Sequence, residues 1–151
     1  MIKSFLTILF CTSIISPNET IDTQPWEEVI EAIIKIESNG NLKAVSPSGK
    51  HVGPMQIAKI VVDDCNEYLR MLKKDKRYTY EDRWDLQKSK EMFVLIQMRY
   101  NKTNDVEKAA RIWNGGCGYS KKATDGYYMK FLRHYKKRSK LWKLLMILIL
   151  K

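Results

Sequence analysis

Cysteine and histidine are scarce in this chain of 151 residues: three cysteines, at positions 11, 65 and 117, and two histidines, His51 and His134, on different segments. No C-x-x-C pair or cysteine-histidine cluster exists, which argues against a zinc site, and no metal or cofactor is implied. Acidic residues are outnumbered, 17 against 27 basic ones. Long apolar runs are missing as well. Neither of the two apolar stretches, near the ends, is long enough to cross a hydrocarbon core of about 30 Å, which excludes a multi-span membrane protein. Runs of alternating apolar and polar residues, internal repeats and low-complexity segments are also lacking, so neither a sheet protein nor a repeat array is expected.

What is present is a core-forming composition, 44% hydrophobic and 11% aromatic, too rich for a disordered chain. The net charge is +10. The excess is concentrated at the C-terminus, where residues 136–151 carry six cations and no acid, and residues 17–135 hold only a net +3. That asymmetry describes a basic tail rather than a phosphate-tracking face, and no nucleic-acid partner is expected.

The ends read differently from the middle. Residues 1–16 place Lys3 before an apolar run from Phe5 to Ile15, the pattern of an export signal, followed by a short linker over 17–25. Removal of the leader would leave Cys65 and Cys117, expected either to join in a bridge in an oxidising compartment or to lie buried as two thiols, without a catalytic role. Residues 136–151 form a basic amphipathic tail: on a helix, Lys136, Lys140 and Lys143 share one face and Leu141, Leu144, Leu145 and Leu148 another. Such a tail suits an anionic membrane or wall surface, or else packs its leucines on the domain.

Between the ends, apolar residues recur at three and four, which predicts one compact all-α domain over 26–135. The first helix is expected behind a Thr23 cap, with Pro25 in its first turn, Glu27 and Glu28 at its positive end and a stop at Asn39-Gly40. Further helices are predicted at about 59–73, at 86–100 behind Asp85, at 105–113 behind Asn104, and from Thr124 to about 135. Glu37 stands out. It lies seven residues after Ile30 and four after Ile33, so a straight helix carries its carboxylate onto the apolar face at the negative end of the dipole. Both conditions favour the protonated acid, the form that general-acid cleavage of a glycosidic bond requires.

Four segments accompany it: Glu37-Ser38 at a helix end, Gly53-Pro54-Met55-Gln56-Ile57 after a polar turn, Ala109-Ala110-Arg111-Ile112-Trp113-Asn114-Gly115-Gly116, and Thr124-Asp125-Gly126-Tyr127. In this order and approximate spacing, over about residues 26–135, the chain resembles the soluble lytic transglycosylase (SLT) domain, a lysozyme-like fold acting on peptidoglycan. The resemblance implies a single catalytic acid/base, Glu37, and a substrate cleft to which Ser38, Gly53, Met55, Gln56, Asn114 and Tyr127 contribute. Ser38 would orient the reacting sugar, Gly53 would keep side chains out of the cleft, and Met55 would support the site by packing. Gln56 and Asn114 would offer polar groups to the glycan. Tyr127, preferred over Tyr128 because helical phase admits only one of them, would bring its hydroxyl near the acid. Pro54 and Trp113 depart from the family pattern, which has Leu or Met and Tyr at these positions.

The implied reaction cleaves the MurNAc–GlcNAc β-1,4 bond and closes a 1,6-anhydro ring on the muramyl residue. An exported monomer acting on peptidoglycan strands is expected. Asp63 and Asp64 are the nearest downstream acids; if either reached the cleft, a hydrolytic muramidase would be the outcome. A non-catalytic cationic protein binding wall or membrane is the remaining alternative, and Glu37 is the feature it would not need.

Overall fold

In a computed structural model, residues 20–149 are described, with side chains over 20–135; the leader at 1–16 lies outside the described residues. Five α-helices occur among the described residues: α1 (Glu27–Glu37), α2 (Lys59–Met71), α3 (Leu86–Tyr100), α4 (Val106–Gly115) and α5 (Lys121–Ile149). Two short strands, β1 (His51–Val52) and β2 (Ile57–Ala58), pair antiparallel with His51 opposite Ala58 and Val52 opposite Ile57. The fold is therefore mostly helical, as the periodicity predicts. The hairpin escapes sequence reading because a two-residue strand shows no alternation.

Helix α3 is the centre of the molecule. Met92, Phe93, Val94, Leu95 and Ile96 are all buried, so the helix is apolar around its circumference and must be enclosed on every side. Phe93 meets Trp26 in a T-shaped contact at 5.7 Å and the tilted ring of Trp113 at 5.2 Å. Helix α2 lies along α3, whereas α1 and α4 pack on α5. Ile30 and Ile33 of α1 and Phe131 of α5 are fully buried in the same core.

Of three expected helix caps, one holds and two are corrected. Thr23 does not cap α1: it is buried with helical backbone angles, so its hydroxyl makes no cap bond, and it precedes a 3-10 turn over Gln24–Trp26. The carboxylate of Asp22 accepts the Gln24 N–H at 2.9 Å instead. Asp85 caps α3 as predicted, accepting from the Lys88 N–H at 2.8 Å. For α4 the cap is Asp105, not Asn104, whose φ of +53° leads into it. Residues 21–25, expected as linker, belong to the fold, with Ile21 packed against the core and Thr23 buried.

The cysteines are also corrected. Cys65 is buried and Cys117 exposed, and both are free thiols. Cys65 faces α3, its Sγ 3.5 Å from the Met92 carbonyl, whereas Cys117 follows the end of α4. The two elements carry the thiols to different depths, so they are neither bridged nor both buried.

Candidate active site

Glu37 is the last residue of α1, and Tyr127 lies in the second turn of α5, which runs antiparallel to α1. The Tyr127 hydroxyl donates to Glu37 Oε1 at 2.8 Å across 90 residues of sequence. Burial raises the Glu37 carboxyl above the ordinary glutamate value, and the bond from Tyr127 offsets part of the rise because it favours the charged form. Tyr127 is itself held well above the usual phenol range, chiefly by burial and then by the Glu37 charge, so it remains a donor. Tyr128 turns the other way, stacked on Phe131 at 6.1 Å with the Arg111 guanidinium over its ring at 4.6 Å.

Replacing Tyr127 with Phe is therefore expected to raise the Glu37 pKa further, since the carboxylate loses its donor while remaining half-buried. A carbon-13 NMR titration of the Glu37 carboxyl measures this, and an unchanged or lower midpoint would contradict the arrangement.

The remaining residues build the frame around this pair. At the end of α1, Asn39 and Gly40 take positive φ (+56° and +86°) and turn the chain away. Ser38 spends its hydroxyl proton on the Pro54 carbonyl at 2.8 Å and accepts from the Gly40 N–H at 3.1 Å, tying α1 to the hairpin turn. Pro54 thus matters here as an acceptor rather than through the donor it lacks. Met55 is fully buried, so its side chain supports the turn by packing, and its carbonyl accepts from Trp113 Nε1 at 3.2 Å. Gln56, at a φ of +51°, folds its amide back onto the Ala44 and Gly53 carbonyls at 3.1 and 3.0 Å, and its Oε1 has no hydrogen-bond partner among the described residues.

Gly53 has a different reason from the one expected. Its φ is +79°, and a Cβ there would overlap the Arg83 carbonyl oxygen. The missing side chain makes room for the Glu81–Trp84 turn, held by buried Arg83, which donates to the Ile57 carbonyl at 3.3 Å and the Tyr80 carbonyl at 2.6 Å. Asn114 is exposed, and its amide makes no hydrogen bond among the described residues. It stands in the last turn of α4 rather than on a loop, one residue beyond Trp113, and Gly116 terminates the helix with a φ of +76°. Gly115 allows α4 to approach α5, since a Cβ there would lie 2.7 Å from Thr124 Cγ2.

Two contributors were missed in the sequence. Trp113 bolts α4 to the hairpin turn. Arg111, buried, donates to the Lys121 carbonyl at 2.9 Å and Thr124 Oγ1 at 2.8 Å and pairs with Glu107 and Asp125, both at 2.8 Å, which fixes the first turns of α5 and hence Tyr127. A lone arginine among alanines was the available signal.

The other acids are engaged elsewhere. Asp64 accepts from Arg99 at 2.6 Å and Tyr100 at 3.0 Å, and Asp63 accepts from Tyr80 at 3.0 Å. Burial and the Tyr127 bond are the causes of the Glu37 shift, with no neighbouring carboxylate among them. Among the described residues no group of three His, Cys, Asp or Glu could hold a metal, and no helix is long and apolar enough to cross a membrane. A cavity of about 340 Å³ lies at the opposite end of α1, bounded by Trp26, Val29, Asn104, Val106 and Tyr135, and holds none of the candidate residues.

The arrangement is a half-buried acid at a helix end, held by a phenol and framed by a hairpin turn and a second helix end. A family model described as the transglycosylase SLT domain matches residues 18–135, and the chain belongs to that family, a member of the lysozyme-like superfamily. Its domains are transglycosylase-type enzymes of cell-wall peptidoglycan. No curated protein and no solved structure matches the chain.

Proposed function

We propose that this domain is a peptidoglycan lytic transglycosylase that cleaves the MurNAc–GlcNAc β-1,4 bond with Glu37 as its single acid/base. The observation that carries the reading is a half-buried Glu37, raised toward its protonated form, with Tyr127 on its carboxylate and no carboxylate of the described residues among the causes of that rise. A two-carboxylate glycosidase needs a partner acid as nucleophile or to activate water. Here one group serves both halves of the reaction. Glu37 gives its proton to the bridging oxygen as the bond to C1 breaks. The carboxylate then takes the proton of the muramyl C6 hydroxyl as that oxygen bonds to C1, closing the anhydro ring and restoring the acid. No water is consumed.

In this reading Asn114 supplies free amide donors and an acceptor to the glycan, and Gln56 supplies its Oε1. Ser38, Gly53 and Met55 act on the glycan through the frame, by fixing the hairpin turn against α1. The substrate lies outside the cytoplasmic membrane, so the reading requires an exported protein, and the single site needs no second copy.

Mass analysis of fragments released from purified peptidoglycan tests the reaction. Anhydro-muramyl ends are expected; reducing ends, heavier by one water, would make the enzyme a hydrolase, and no fragments at all would leave a binding protein.

A further inference from the structure

The helix that carries Tyr127 does not stop where the family match does. Helix α5 runs Lys121–Ile149, whereas the match ends at residue 135. At about 1.5 Å per residue it is about 43 Å long, against about 16 Å for α1 and about 15 Å for α4, the helices it packs on. Its final 14 residues, about 21 Å of backbone, therefore have no stretch of α1 or α4 of matching length beside them.

The sequence on that overhang is of one kind. By helical phase Lys136, Lys140 and Lys143 share one side, Lys137 and Arg138 fall towards the leucine side at the start of the overhang, and residues 136–151 contain no acid. Leu141, Leu144, Leu145 and Leu148 fall on another strip, Trp142 stands at its margin, and Leu144–Leu150 is uninterrupted apolar sequence. The cations alone would suit any polyanion, including a hydrated wall polymer. The leucines decide between them, because only a bilayer offers an apolar phase beneath its anionic headgroups.

We infer that the C-terminal overhang of α5 is a surface anchor for an anionic lipid bilayer. Its position suits that role. Tyr127 meets Glu37 at the C-terminal end of α1, whereas Tyr135 borders the cavity beside Trp26 at the N-terminal end. The overhang thus leaves the domain from the pole opposite Glu37, and a bilayer bound there leaves the candidate active site uncovered. The anchor does not depend on the reaction proposed above.

The test uses the full chain and vesicles of equal parts phosphatidylglycerol and phosphatidylcholine, with pure phosphatidylcholine as the neutral control. Binding is expected to favour the anionic vesicles and to weaken as salt is raised. Lys136→Gln, Lys140→Gln and Lys143→Gln together are expected to reduce it at least about tenfold. Leu144→Asn with Leu148→Asn is expected to reduce it as well, with the melting temperature unchanged in both variants. Equal binding by the parent and the lysine variant would overturn the proposal. So would attachment to purified sacculi that falls in the lysine variant while vesicle binding does not. A large drop in melting temperature for the leucine variant would show that these residues cover the domain instead, and would equally overturn it.

Discussion

Glu37→Gln is expected to lower the rate of peptidoglycan cleavage by at least about 10²-fold while leaving the fold intact, because the amide keeps the shape of the acid and cannot give up a proton. The Tyr127 hydroxyl, 2.8 Å from the carboxylate, still finds an acceptor in the Gln carbonyl. Stability provides an independent check whose sign is fixed by the raised pKa. An acid whose folded-state pKa lies above its unfolded value binds its proton more tightly when folded, so the ionised form destabilises the fold as pH rises through the folded pKa. That penalty disappears as pH falls below the unfolded value. A neutral amide never incurs it, so at neutral pH the variant is expected to melt at or slightly above the parent temperature, and the difference should vanish in acid. Turnover on sacculi and melting scans across pH measure the two effects. A variant with activity within about tenfold of the parent would remove Glu37 from the chemistry.

The second large effect is expected at Gly53, where alanine should destabilise the protein by several kcal/mol. Two costs act together. A non-glycine residue in left-handed backbone loses roughly 1–2 kcal/mol, and forcing a methyl into filled space typically loses a further 1–3 kcal/mol. The obstruction at Gly53 is the Arg83 carbonyl, a backbone group that also accepts from the Ser89 hydroxyl at 3.1 Å, so no side chain can swing aside. The strain falls on the turn that Ser38 and Trp113 fasten to α1 and α4. Chemical denaturation measures the loss. Activity is expected to fall with it, since the frame of the site moves. An alanine variant as stable as the parent would mean that the turn and the Glu81–Trp84 segment part easily.

The sequence by itself determined what local physics controls. Periodicity at three and four marks α1 and α2 because an amphipathic stripe depends on neighbours within two turns, and Asp85 is legible as a cap because its bond reaches only to Lys88. Glu37 could be singled out for the same reason, as an acid in phase with Ile30 and Ile33. At α4 the local signals compete: Asn104 and Asp105 are both good caps, and the left-handed backbone of Asn104 decides in favour of Asp105.

Tertiary structure decided the rest, because those interactions join residues that sequence spacing does not relate. Tyr127 reaches Glu37 across 90 residues, Trp113 reaches Met55 across 58, and Arg83 fills the space beside Gly53 from another element. The cysteines followed the same rule: their chemistry allowed a bridge, but the depth of each in the fold did not. A carboxylate on an apolar face can be read from one helix, whereas what buries it, what bonds to it and which other acids stay away are set by packing between helices, where distance in space is independent of distance along the chain.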